Sequence, residues 1–263
     1  MSVTGSPPQR SQAGISTSPQ NYVFGNYPFP TPMRLNQYFN DFNTYAAGDW
    51  TVTSSSSGTS ALTDFNGGAL VVTTATSAAD IQGNQLAKKS FAFTTGSQVW
   101  FSMNVKLTTS TTPALMFGLA NSFATLAPTD GVYFSKVAGS QTMNLIINAS
   151  STPTTLAVGT MADATFYTFS YYFDGKPTRT LQVFSTIGYS GSPTAFSVPY
   201  FSGGNQEVIS ASDETGATNS LVNLPTTTTL LTAGFAVKSS GGTLAGIATI
   251  DYFLAGEEII ARF

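Results

Sequence analysis

Nine consecutive residues constrain the fold of this chain more than any other feature. In Val99-Trp100-Phe101-Ser102-Met103-Asn104-Val105-Lys106-Leu107, apolar side chains recur at every second position. A period of two is the spacing of a strand, whose successive side chains point to opposite faces. Val99, Phe101, Met103, Val105 and Leu107 share one face, and Trp100, Ser102, Asn104 and Lys106 the other, which predicts a half-buried strand. The same alternation sets Met143, Leu145 and Ile147 against Thr142, Asn144, Ile146 and Asn148. Further on, it groups Tyr167, Phe169, Tyr171 and Phe173 on one face, opposite Thr168 and Ser170. Leu231, Ala233, Phe235 and Val237 make another set, and Ile247, Thr249, Asp251 and Phe253 a last one. Turn signals separate the runs: Asn66-Gly67-Gly68, Asp130-Gly131, Asp174-Gly175 and Gly241-Gly242. No stretch shows sustained helical spacing. Roughly a dozen short strands without helices predict an all-β, antiparallel sandwich or barrel.

The polar residues agree with that reading. Only 9% of the 263 residues are charged, while serine and threonine number 70. Threonine is β-branched, fits a pleated strand and keeps a hydroxyl toward water, so hydroxyls stand in for charge. The net charge of −3 leaves no basic face to replace phosphate counterions, and a nucleic-acid partner is not expected. No run of about 18 apolar residues predicts a membrane helix. Residues 1–20 hold no apolar signal core, so export through a cleaved signal is not expected either.

Residues 1–35 read differently from the rest. Pro7, Pro8, Pro19, Pro28, Pro30 and Pro32 interrupt the segment, and proline lacks the N–H that a sheet ladder uses. An extended N-terminal arm is the expectation, followed by a β-domain over residues 36–263. Within that domain, residues 188–229 form a long loop excursion, with a short strand expected near Phe196–Phe201. The arm also carries Tyr22, Val23, Phe24, Tyr27 and Phe29, an aromatic cluster that packs either on its own domain or on a partner. Tyr22, Phe24, Tyr27 and Phe29 are the candidate partner-binding residues.

Several segments together resemble the concanavalin A-like (laminin-G-like) jelly roll. Asp41-Phe42 followed by Asp49-Trp50-Thr51-Val52 resembles its opening strands. Trp100-Phe101, Phe117-Gly118-Leu119-Ala120-Asn121 and Asp130-Gly131-Val132-Tyr133-Phe134 resemble its central ones. Tyr171-Tyr172-Phe173-Asp174-Gly175-Lys176 leading to Leu181-Gln182-Val183 is similar to its "Y-x-D-G" hairpin, and Ile250-Asp251-Tyr252-Phe253 to its closing strand. The versions it most resembles occur in virion proteins of tailed bacteriophages, as capsid decorations, head fibres or tail parts. The resemblance implies an antiparallel two-sheet jelly-roll sandwich over residues 36–263. It also implies a non-catalytic virion structural protein on the outer capsid surface or tail, attached through its arm to the major capsid protein or other virion proteins. A homo-oligomer is expected. The alternative is a glycan-binding adhesion or receptor-binding module of a phage tail or fibre, with a host-surface glycan as partner.

Enzymatic chemistry finds few residues to use. Glycosidases of the resembled fold place carboxylates in a Glu-x-Asp-x-Glu pattern along one strand, and retention needs two carboxyls about 5–5.5 Å apart. The four glutamates here, Glu207, Glu214, Glu257 and Glu258, make no such pattern. Without histidine or cysteine there is no Ser-His-Asp triad, no thiol nucleophile and no imidazole or thiolate metal site. No catalytic residue, cofactor or metal is expected. Asp64-Phe65-Asn66-Gly67 and Gly203-Gly204-Asn205 read as turns, not as a calcium loop and a phosphate loop. Asp251 interrupts an apolar face and requires a hydrogen bond or a cation. Sugar recognition would need exposed tryptophan or tyrosine beside Asn and Asp, and Trp50 and Trp100 sit in core-like strand contexts.

Overall fold

The computed structural model describes residues 35–65, 67–77, 80–87, 90–175, 180–187, 207–210, 223–225, 229–241 and 244–258. The first strands are β1 (Leu35–Asn40), β2 (Trp50–Ser54), β3 (Thr59–Thr63), β4 (Ala69–Thr73) and β5 (Ile81–Leu86). The middle ones are β6 (Val99–Leu107), β7 (Ala114–Ala120), β8 (Gly131–Lys136), β9 (Thr142–Ala149) and β10 (Thr152–Thr160). The last are β11 (Tyr167–Phe173), β12 (Thr180–Ile187), β13 (Glu207–Ser210), β14 (Thr232–Lys238) and β15 (Ile247–Glu258). A 3-10 turn, Ala47–Asp49, precedes β2. The arm candidates Tyr22, Phe24, Tyr27 and Phe29 lie outside the described residues, as do residues 196–201 and Gly203-Gly204-Asn205. Within the excursion, the described strand is β13.

The strands form the two-sheet antiparallel sandwich that the alternation predicts. The first sheet has eight strands in the order β13-β12-β11-β6-β15-β4-β3, with β1 also pairing β15. The second has seven, in the order β10-β9-β8-β7-β14-β5-β2. Between them lie the residues singled out by period: Phe101, Met103 and Val105 of β6, Phe169 and Tyr171 of β11, Leu145 and Ile147 of β9, and Phe235 of β14. The rings interlock, with Phe101 5.4 Å from Tyr171 and Phe117 5.2 Å from Phe134 between centroids. Burying each such ring removes roughly 150–250 Å² from water, worth on the order of 4–6 kcal/mol before entropy is counted. Tyr171 also joins the sheets through its hydroxyl, which donates to the Val132 carbonyl at 3.0 Å. Complete burial of that phenol pushes its pKa well up.

Three features depart from simple alternation. First, β6 and β11 are buried on both faces rather than half-buried. Their outward hydroxyls and amides pair with one another, except Asn104 Oδ1: Ser102 Oγ lies 2.7 Å from Ser170 Oγ, and Asn104 Nδ2 donates to Thr168 Oγ1 at 2.9 Å. Beside them Trp100, Tyr172, Phe184 and Leu254 make a second apolar cluster. Period reports which side chains share a face, and a polar face can be buried when its groups pair internally.

Second, β15 changes phase. Its register against β6 shifts between Ile250 and Tyr252, leaving Asp251 as the extra residue of a bulge. Ala248 and Ile250 face the core before the bulge, and Phe253 and Ala255 after it, so Phe253 does not share the face of Ile247 and Thr249. The bulge lies where β15 exchanges one neighbour for another, β4 pairing residues 247–250 and β1 residues 253–258. Phe42 fills that gap, 1% exposed, with φ at 53°. Its backbone N–H donates to Asn40 Oδ1 at 2.7 Å, which holds this left-handed turn. Third, β5 presents Gln82 and Asn84 to the interior, because they pair in register with Val237 and Phe235.

Candidate functional site

The carboxylates that a hydrolase would need are dispersed. Glu257 lies in core-side phase with Phe253 and Ala255, and accepts the Ala92 N–H at 3.2 Å. Burial, opposed by that hydrogen bond, raises its pKa to about 7. Asp251, in the bulge, is pushed up to about 6, chiefly by burial and further by the charge of Asp41. Asp41 itself is exposed and accepts from Asn43, closing a local turn. Asp80 is buried but occupied, accepting from Ser55 Oγ at 2.9 Å and from the Ala75 N–H. Asp64 and Phe65 enter the turn closed by the Gly68 N–H to the Phe65 carbonyl at 2.7 Å. Among the described residues, no three Asp, Glu, His or Cys side chains gather as a metal site would require.

The outward face of the second sheet is covered by the chain itself. Segment 121–130, between β7 and β8, crosses a floor made partly of glycine. A Cβ on Gly83 would stand 2.2 Å from the Phe123 carbonyl oxygen, and one on Gly234 would stand 2.7 Å from the Phe123 ring. Phe123 is fully buried there among Ile81, Met116, Tyr133 and Ala236. Its N–H donates to Gln85 Oε1 at 3.2 Å, and Asn148 Nδ2 donates to the Pro128 carbonyl at 2.7 Å. The middle of this face is therefore occupied by Phe123.

A third place combines rings, amides and a carboxylate near solvent. β1 brings Tyr38 and Asn40, the 3-10 turn ends in Asp49, β2 opens with Trp50, and the connecting loop contributes Tyr45. Trp50 is the anchor. It is buried, with Phe235 5.2 Å and Phe253 5.6 Å from its ring. Tyr38 meets it edge-on at 5.5 Å, and Tyr45 lies nearly parallel to it at 6.4 Å and 16°. Both tyrosines remain half-buried, and Asp49 is exposed.

Hydrogen bonds position the two phenols. Asn40 Nδ2 donates to the Tyr38 hydroxyl at 3.3 Å, and Asn84 Nδ2 to the Tyr45 hydroxyl at 2.8 Å. Asn84 is held in turn by Ser60, whose hydroxyl donates to its Oδ1 at 3.0 Å and receives Gln82 Nε2 at 3.1 Å. Burial raises the pKa of both phenols, the amide donors oppose the rise, and Asp49 adds to it at Tyr38. Each hydroxyl accepts from an amide; the Tyr38 proton is directed at Asp49, and Tyr45 keeps its own to donate. Trp50 Nε1 is buried and directed at the Tyr38 hydroxyl, where it opposes the rise in pKa. Two partly exposed phenols beside an exposed carboxylate suit a ligand rich in hydroxyl groups.

Sequence reasoning placed Trp50 in the core, where it is, but did not find this corner. A signal was present in the spacing Tyr38-x-Asn40 and Tyr45…Asp49-Trp50, yet Asn84 arrives only through strand register.

No protein-family model matches the sequence, and no curated protein sequence matches it. Solved structures share its fold. One is a protein of unknown function from Shewanella oneidensis MR-1, at 14% identity, covering 87% of this chain and 89% of that one, with a TM-score of 0.56. Peanut lectin is 10% identical over 87% of this chain and 99% of its own, with a TM-score of 0.54. The carbohydrate recognition domain of Emp47p is 9% identical over 88% of this chain and 100% of its own, with a TM-score of 0.52. The architecture is the concanavalin A-like jelly-roll sandwich.

Proposed function

We propose that this chain is a non-catalytic carbohydrate-recognition module, displayed on the outside of a tailed-phage virion as a capsid decoration or as part of a tail or fibre. The observation that carries the carbohydrate reading is the corner of Tyr38, Tyr45, Asp49 and Trp50, set in a sandwich of lectin architecture. Partly exposed aromatic faces stack on the apolar face of a sugar ring. Asp49 and the two phenol hydroxyls bind its hydroxyls. Two features favour binding without catalysis. The raised carboxylates are set apart along β15, Asp251 in the bulge and Glu257 six residues on in the core-side phase. The outward face of the second sheet, where a substrate groove would need open carboxylates, carries Phe123 instead. The virion setting rests on the sequence resemblance and on the scarcity of charge. Attachment through residues 1–34, with Tyr22, Phe24, Tyr27 and Phe29 as anchors, belongs to the same proposal.

Binding is tested by titrating oligosaccharides from a glycan array into the full chain. Tyr45→Ala should weaken binding about tenfold, the equivalent of roughly 1.4 kcal/mol of stacking. Incubation with the bound glycan should release no new reducing ends. A panel with no binder, or a binder indifferent to Tyr38 and Tyr45, refutes the carbohydrate reading. Virion display is tested separately, by locating the chain on purified particles and asking whether removal of residues 1–34 detaches it.

A further inference from the structure

The first sheet ends in β3, and among the described residues no strand pairs with its outer edge. A free edge is a row of unpaired N–H and C=O groups, ordinarily guarded by charge, proline or a bulge. β10, at the end of the second sheet, carries two such guards, Pro153 and the register shift between Ala157 and Gly159. β3 carries none. Its register with β4 is unbroken over all five residues. From Trp50 to Thr63, a run that contains both β2 and β3, there is neither a charged residue nor a proline. β2 is likewise the last strand of its sheet. Val52 on β2 and Leu62 on β3 are each 45% exposed.

We infer that β3 is a self-association edge, at which a second copy of this chain pairs antiparallel across a two-fold axis at Ala61. Such a pairing requires a strand complementary to itself, and Thr59-Ser60-Ala61-Leu62-Thr63 is one. Centred on Ala61, it sets Thr59 opposite the second copy's Thr63 and Ser60 opposite its Leu62. Threonine pairs are favourable across antiparallel strands, and alanine is small enough for the axis, where like side chains meet. The run holds no charge that would repel an identical strand, which favours a copy of itself over a charged partner. Pairing continues the first sheet into its neighbour and covers the exposed Leu62. Ser60 of β3 holds Asn84 behind Tyr45, but the test below reads association and not sugar binding, so its outcome is distinguishable from that of the carbohydrate reading.

Sedimentation equilibrium of the full chain at micromolar concentration tests it. The wild type should be a dimer. Ala61→Lys puts two lysines opposite each other at the axis and should weaken association by about a hundredfold, and Ala61→Glu should do the same. Ala61 is exposed in the single chain, so both variants should keep the wild-type circular dichroism spectrum and lose only the stability that association adds. Mixing the two variants should restore a dimer that contains one of each. A wild type that stays monomeric overturns the inference. So does an oligomer that both variants leave intact, or a mixture that stays monomeric.

Discussion

Replacing Glu257 by glutamine should make the protein more stable at neutral and mildly alkaline pH and leave it unchanged near pH 4. Glu257 is the penultimate residue of β15, its carboxyl is half-buried, and it accepts the Ala92 N–H. Burial lifts its pKa from 4.5 to about 7. The folded state thus holds a proton that the unfolded chain releases. The associated stability is fully present below about pH 4.5 and is lost as the pH rises through 7. The upper bound is on the order of 3 kcal/mol, at about 1.4 kcal/mol per pH unit. Solvent screens a side chain that is only partly buried, which reduces the expected effect to about 1.5 kcal/mol. In Glu257→Gln the amide oxygen still accepts the Ala92 N–H and no charge has to be buried. Urea denaturation of both proteins at intervals from pH 4 to 8 gives the difference directly. The variant should gain about 1.5 kcal/mol by pH 8, or roughly 3–6 °C in melting temperature. Asp251, raised to about 6, gives both proteins a further loss of the same sign and cancels in the comparison. Lys136, lowered to about 8 by burial, acts with the opposite sign above that pH, which sets the upper limit of the range. A difference between the two proteins that does not vary with pH would refute the reasoning.

Two further substitutions probe the packing. Phe123→Ala empties the ring from the glycine floor of the second sheet and should cost about 3–5 kcal/mol by chemical denaturation, with oligosaccharide binding at the Tyr45 corner unchanged. Gly68→Ala should also destabilise, by more than about 1 kcal/mol, because φ there is +84° and a Cβ would stand 2.4 Å from the Phe42 carbonyl oxygen. A wild-type melting curve for Gly68→Ala would show that the turn holding Phe42 is looser than described.

The core strands were legible because their apolar residues follow the pleat without interruption: Val99 to Leu107, Met143 to Ile147, Leu231 to Val237. β5 was not, since its inward positions are Gln82 and Asn84, and no hydrophobic period marks a strand whose buried side chains are amides. They tolerate the interior only because Ser60 and Tyr45 bond them, and those partners lie 22 and 39 residues away in the chain. The phase of β15 was misjudged at one point for a related reason. A bulge adds a residue without changing composition, so Asp251 and Phe253 look like members of one face. The Tyr38–Tyr45 corner combines both difficulties. Its rings and amides come from separate segments, and the stacking on Trp50 depends on where the loop between β1 and β2 turns. Residue types that suit sugar binding were countable, but their meeting was not.

The hydroxyl of Tyr171 bears on how the sandwich carries load. It is a donor reaching from one sheet to the backbone of the other, as the Ser185 hydroxyl does to the Val158 carbonyl at 2.9 Å, in a chain without disulfides. Sliding one sheet along the other by a single residue, about 3.3 Å, would strand both the phenol O–H and the Val132 carbonyl in a dry interior. The bond thus acts as a key against shear, fixing which residues of the two layers face each other. A domain that holds to a surface while its neighbours are pulled by flow would draw on that resistance before any strand is peeled away.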